Sequence, residues 1–365
     1  MSLSILHIAP QNYAGVPYET VKAERARGIS SWLITMWPHP YGFSEDECLN
    51  LPMAAGGVVR FAQRLFGTTP KTLNVRRKQL GELPPTWNGD SFPSNILFAL
   101  RDRLWEPYFR RAGFPKRLDE FDIVVLDGGL PLLRDSVWIL DWARRGGRLA
   151  TTYYGSDLRQ HGVLPKVDGA AGAVFVMEFD HIALHPRATW LPFPFDPSGL
   201  PSADPPNGPV RIGHVATNRS AKGTDRIIEA IGEAAKTCEI EPVIIERKPH
   251  AETLYLKAGC HIFIDQLGEL GYGISGLESA AMGIPTVVEL LPDHEAFLGE
   301  HPFVTACAET LPNILVKLST DKDLREKYGA AGIEWVRNFH SPSRTIDLML
   351  QKYAELGWIS PGEFQ

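Results

Sequence analysis

Short apolar runs alternate with amphipathic stretches along this chain. Residues 5–9 (ILHIA) form a run of five that Pro10 ends, and the polar loop 11–15 follows. Pro17 suits the first turn of a helix and Gly28 the position just past its end, which predicts a helix of about 11 residues between them. Residues 32–36 predict the next strand. Runs at 121–126, 149–154, 173–177 and 189–191 repeat the pattern, with a helix over 132–143. The pattern stops at 192–209, where seven prolines fall in eighteen residues and read as a linker. It then resumes with strands at 210–215, 242–246, 261–265 and 285–289. Helices are predicted between them at about 225–236, 251–258 and 277–282.

Strand, loop, helix and strand in that order predict parallel sheets covered by helices. The expected fold class is therefore α/β, with two Rossmann-like domains facing each other across a cleft. The first spans 1–191 and the second 210–340, joined by the linker at 192–209. A C-terminal helix in 341–365 is expected to pack back on the first domain. Ligands of such sheets bind beyond the strand C-termini, so the cleft is the expected site.

Length and composition agree with two soluble domains. The 365 residues are 44% hydrophobic and 22% charged, which sets aside disorder and coiled coil. No apolar run reaches 18 residues and no signal peptide is visible. The cysteines at 48, 238, 260 and 307 show no CxxC spacing, which argues for reduced thiols and against zinc. A cytoplasmic location follows as the expectation.

Charge adds one feature. The net charge is −6, but residues 58–117 hold 12 Lys/Arg against four Asp/Glu, interleaved with aromatic and leucine side chains. Such a basic insert suits either an anionic membrane surface or an amphipathic helix packed on its own domain. No nucleic-acid motif accompanies it, so nucleic acid is not an expected partner.

Three loops could carry chemistry. Between the first strand and first helix of the second domain lies Asn218-Arg219-Ser-Ala-Lys222-Gly223-Thr224. With Thr224 as N-cap, the helix dipole and two cations suit a phosphate or diphosphate, and a solvated basic turn is the plain alternative. Asp265-Gln266, then Gly271-Tyr272-Gly273 and Glu278, follow a buried strand. Glu278, in the first turn of the next helix, can accept bonds from two ribose hydroxyls. It can equally close a capping box with Ser275. Third, Tyr154-Gly155-Ser156-Asp157 ends a first-domain strand. Asp157 there can orient or deprotonate an acceptor hydroxyl, or simply close a turn. The histidines at 7, 161, 214 and 250 have no metal-ligand spacing and read as core or loop residues, and no metal site is expected.

Taken together, these motifs resemble the GT-B glycosyltransferases of the family-4 (glycosyl transferases group 1) type. The resemblance rests on the loop at Gly15, on Tyr154-Gly-Ser-Asp157-Leu-Arg159, on Ala216–Thr224, and on Asp265-Gln266 with Gly271-Tyr-Gly273-x4-Glu278-Ser-Ala-Ala-Met-Gly-Ile-Pro285. It implies that Arg219 and Lys222 hold the donor diphosphate, that Glu278 binds the ribose, and that the amides from Gly271 through Tyr272 to Gly273 approach diphosphate and sugar. It also implies that the Gly15 loop closes on the donor. Transfer of a sugar with retention from a UDP-, GDP- or other nucleotide sugar follows, without cofactor or obligatory metal. The family's first glutamate falls at Leu270, with Glu269 one residue off register, which leaves Asp265 as the candidate substitute for its role. The usual first-domain histidine is replaced by the Asp157 segment.

The leading reading is thus a glycosyltransferase acting on a glycan or lipid-linked acceptor in surface glycoconjugate synthesis, peripheral at the inner face of a membrane through 58–117. Two alternatives stand beside it: a non-catalytic nucleotide-sugar-binding relative, and a nucleotide-sugar epimerase.

Overall fold

A computed structural model describes residues 3–52, 83–87, 92–155, 157–216, 218–268 and 271–362, with 92–97 described by backbone alone. The chain divides into two compact units. One comprises Met1–Pro194 and Pro342–Gln365, the other Phe195–Ser341.

Among the described residues the first unit has seven strands: β1 (Ser4–Ala9), β2 (Ser30–Thr35), β3 (Glu47–Cys48), β4 (Ile123–Asp127), β5 (Arg148–Tyr153), β6 (Ala173–Val176) and β7 (Thr189–Trp190). They pair in the order β3-β2-β1-β4-β5-β6-β7, and every pairing is parallel. A parallel strand is covered on both faces, which is why the central strands read as unbroken apolar runs. All of β4 is buried, as is β1 beyond its first residue. Among the helices are α1 (Val16–Ala26), α2 (Phe92–Arg111), α3 (Val137–Arg144), α4 (Pro165–Ala170) and α5 (His181–Leu184). Helix α3 starts five residues later than its periodicity predicts. Leu132 and Leu133 are buried in a loop whose Arg134 amide donates to Asp102 Oδ2 at 2.7 Å, a long-range contact that holds the segment out of the helix.

Helix α2 lies in the basic insert, and its described part packs on its own unit. Trp105 and Phe109 are buried in the core, and Trp105 Nε1 donates to Pro52 O at 2.8 Å. Arg101 pairs with Asp102, Arg110 with Glu106 and Arg117 with Glu47. Leu100, Arg103, Leu104 and Arg111 are exposed. Residues 58–82 and 88–91 of the insert lie outside the described part.

The second unit has strands β8 (Val210–Val215), β9 (Ile240–Ile245), β10 (Ile262–Gln266), β11 (Thr286–Val288) and β12 (Val304–Thr305), again all parallel, in the order β12-β11-β10-β8-β9. Its helices are α6 (Arg219–Lys222), α7 (Thr224–Ala234), α8 (His250–Ala258), α9 (Ile274–Ala281), α10 (Pro292–Leu298), α11 (Leu311–Thr320) and α12 (Lys322–Phe339). Most of the proline-rich stretch belongs to this unit, with the Ala203 and Asp204 amides donating to Met282 O and Ala258 O. The last helix, α13 (Pro342–Glu355), belongs to the first unit, where Ile346, Met349, Leu350 and Tyr353 are buried.

Candidate functional site

In the second unit the chain leaves β8 toward β9 on one side and returns through α8 to β10 on the other. The loops after β8 and β10 therefore diverge and open a crevice at the strand C-termini. Lys222 lies there, its Nζ donating to Asp265 Oδ1 at 3.1 Å and to Gln266 Oε1 at 2.9 Å. Asp265 is buried, and its Oδ2 accepts the Gly273 amide at 2.8 Å. One carboxylate thus ties the cationic loop to the glycine turn. Arg219 is exposed and bridges Glu246 at 2.5 Å and Asp225 at 2.6 Å.

Gly223 closes this loop at φ +67°, and a Cβ there would lie 1.8 Å from Leu267 O. Only glycine fits, both by dihedral and by space. Gly223, rather than Thr224, is the N-cap of α7. The Thr224 hydroxyl is 2.9 Å from His214 Nε2 instead, and His214 Nδ1 is 2.9 Å from Ile264 O. Burial lowers the pKa of His214, so its neutral ring donates to the carbonyl and accepts from the threonine.

Glu278 is not a cap. Gly273 is the N-cap of α9 and has no side-chain capping bond, which puts Glu278 in the second turn. Its Oε1 lies 2.6 Å from His250 Nε2, and its Oε2 accepts from Lys257 Nζ at 2.6 Å. Burial alone would raise the Glu278 pKa, but Lys257 and the His250 bond hold it below the ordinary carboxylate range. Lys257 is fully buried, and its ammonium also donates to Ser275 O at 2.6 Å and Ser275 Oγ at 3.2 Å. His250 therefore belongs to the site rather than to the loop background. Lys257 carries no local motif. The available signal is helical spacing, since His250, Thr253 and Lys257 recur at i, i+3 and i+7 on one face of α8.

The residues of the glycine turn have partners within the unit. The Tyr272 ring is 4% exposed, stacks on Phe303 at 4.6 Å and meets His340 through its hydroxyl at 3.0 Å. It anchors the glycine turn into the core and does not point outward. The Gly273 amide is committed to Asp265, while the Gly271 carbonyl accepts from Gln266 Nε2. Glu269 and Leu270 lie outside the described residues.

In the first unit the corresponding crevice lies between β1 and β4. Gly15 is the left-handed N-cap of α1, at φ +80° and against Phe43. Tyr13, just before it, sits 6.2 Å from Tyr154 between ring centroids. Asp157 accepts the Tyr154 amide at 2.9 Å, so it does close a turn. It also faces Gly128 at the end of β4. Burial, with Asp127 nearby, raises its pKa to about 7 against the Tyr154 bond and Arg159. Ser156 lies outside the described residues. Arg159 is a clamp, bidentate on Asp180 at 2.7 and 2.8 Å.

Beneath this crevice His7 bridges Asp127 at 2.9 Å and Glu24 at 3.1 Å, all three buried, and the Tyr154 hydroxyl donates to the other Asp127 oxygen. Burial lowers the His7 pKa, but the two carboxylates outweigh it and lift the value to about 10.

At the level of sequence nothing matches, neither a protein-family model nor a curated protein. Solved structures do. A sucrose-phosphate synthase from Thermosynechococcus elongatus aligns over 97% of this chain and 99% of its own, at TM-score 0.61 and 13% identity. WaaG, a glycosyltransferase involved in lipopolysaccharide biosynthesis, aligns over 94% and 99% at 0.57 and 12%. The chain has the GT-B fold. A putative UDP-N-acetylglucosamine 2-epimerase from Listeria monocytogenes aligns over 99% and 98% at 0.54 and 10%, so this GT-B likeness extends beyond transferases. The chain spans 55% of the longer S. aureus TarM at TM-score 0.46, too weak to argue from. Within the GT-B fold, Arg219, Lys222, Gly223, Asp265, Gly273 and Glu278 gather on the second unit, and Gly15 and Asp157 on the first. Among the described residues no helix is long and apolar enough to cross a membrane.

Proposed function

We propose that the protein is a retaining glycosyltransferase that moves a sugar from a nucleotide diphosphate donor to a glycan or lipid-linked acceptor in surface glycoconjugate synthesis. The observation that carries this reading is the cluster at the β8/β10 crevice, where Arg219 and Lys222 share one loop and Lys222 is tied through Asp265 to the Gly273 turn that opens α9, the helix of the buried, ionised Glu278. Diphosphate oxygens entering the loop would draw on these two cations and stabilise the leaving group as negative charge develops. Glu278 would accept the ribose hydroxyls. Asp157, a carboxyl that titrates near neutrality, would orient the acceptor hydroxyl and take its proton. No step requires a metal or cofactor.

The test is incubation with UDP-, GDP- and ADP-sugars. Slow donor hydrolysis or nucleotide-dependent thermal stabilisation is expected, with turnover abolished by Lys222→Ala and Glu278→Ala. No response to any nucleotide sugar would sink the proposal. Isomerised donor in the absence of acceptor would instead favour an epimerase. Binding without turnover across an acceptor panel, unaffected by Asp157→Ala, would favour a non-catalytic binder.

A peripheral membrane position is part of the same reading. The exposed Leu100, Arg103, Leu104 and Arg111 on α2 support it, because that stripe suits an anionic surface at the cytoplasmic face. Co-sedimentation with anionic vesicles should fade as salt rises.

A further inference from the structure

We infer that Lys257 is a positioning residue of the nucleotide site, fixing Glu278 so that an ionised carboxylate selects a vicinal diol. The inference rests on the proposed nucleotide-sugar reading and names a residue that reading does not use.

The argument begins with cost. A fully buried lysine is rare and needs partners for three donors. Lys257 Nζ has three acceptors, Glu278 Oε2, Ser275 O and Ser275 Oγ, and it lies over the Phe263 ring at 4.6 Å. Two of these acceptors are on Ser275 and the third on Glu278, so the ammonium grips α9 from two successive turns. From the other side, Asp265 Oδ2 accepts the Gly273 amide, and a Cβ on Gly276 would lie 2.8 Å from the same oxygen. The first turn of α9 is thus clamped between Lys257 on α8 and Asp265 on β10.

The charged groups around Glu278 come from both flanking elements. Lys257 and His250 face it from α8, while Asp265 and Lys222 act on Lys257 from β10 and the α6 loop. Each oxygen of Glu278 receives one protein donor, at 2.6 Å, and a carboxylate offers about four lone-pair sites. One acceptor site per oxygen is then left for two adjacent hydroxyls. A protonated carboxyl, or one rotated away from Lys257, could not offer that pair.

The test is calorimetric titration of the full chain with the tightest binder among UDP-, GDP- and ADP-glucose, alongside its 2′-deoxy counterpart. The wild type should prefer the ribose form by about tenfold, as expected for a lost charge-assisted hydrogen bond. Lys257→Met should erase that preference chiefly by weakening the ribose form. Glu278→Gln should do the same, and the double variant should lose no more than either single one. If Lys257→Met does not fold, Lys257→Gln decides, because it keeps a neutral donor in the buried position and leaves Glu278 in place. The inference is overturned if the wild type binds both forms equally, or if the Lys257 variants weaken both forms alike. Absence of nucleotide-sugar binding in the wild type overturns the proposed function instead.

Discussion

At the scale of single residues, two ionisable groups in the first unit both make stability fall as pH rises, in different windows. His7 has its pKa raised to about 10 from 6.5, so the stability it contributes is complete below about pH 6.5 and is lost as pH rises through 10. His7→Gln leaves Glu24 and Asp127 buried without their shared cation, at a cost of about 3–5 kcal/mol near neutral pH. Urea unfolding of both proteins should show the difference shrinking toward pH 10. Asp157 has a raised pKa of about 7 against 3.8, which for an acid means that ionising it opposes folding. Its unfolded form releases the proton first, so stability falls between about pH 4 and pH 7. Asp157→Asn should therefore raise stability above pH 7 by on the order of 2 kcal/mol, allowing for partial exposure, and change nothing at pH 3. A gain equal at both pH values would remove the burial argument. The same variant should lower turnover, as expected of a group that matters to chemistry and is costly to fold.

Among elements, the decisive unit is the strand–loop–helix corner at the end of β8. Alternation of apolar runs with helical stretches made this corner legible, as it did most strands to within a residue or two. The two-residue edge strands β3 and β12 lie outside any apolar run read from the sequence, whereas the equally short β7 falls in the run at 189–191. The caps were the least legible part. Thr224 has the residue type of an N-cap, yet its hydroxyl is taken by His214, and Ser275-x-x-Glu278 fits a capping box, yet both side chains are bonded by Lys257. In both cases a long-range partner beat the local one. Gly223→Ala tests the corner directly. With φ at +67° and Leu267 O in the way, it should cost at least about 2 kcal/mol. Nucleotide-dependent stabilisation should disappear with it, and a variant that keeps that response would show the loop is not part of the site.

For the whole molecule, the chain does not end in the unit where it has spent its preceding residues. After the second unit closes at Ser341, α13 returns to the first, burying Ile346, Met349, Leu350 and Tyr353 there. At about 1.5–3 kcal/mol for each buried side chain, the return stabilises that unit by about 6 kcal/mol or more. Truncation after Ser341 should abolish the first unit's cooperative melting while residues of the second keep theirs, as read by hydrogen exchange. Protection lost evenly from both units would mean that they do not melt separately.

The sequence alone determined most of the strands, their parallel sense and the loops that carry Arg219, Lys222, Asp157 and Gly15. Buried strands must be apolar, turns need their glycines, and loops at strand ends follow from the alternation itself. Only tertiary structure decided which polar groups meet. His7 and Asp127 are 120 positions apart, while His250 and Lys257 stand 28 and 21 from Glu278. A buried charge leaves no periodic trace of its partner, because its cost is met by one contact in space and not by a pattern along the chain.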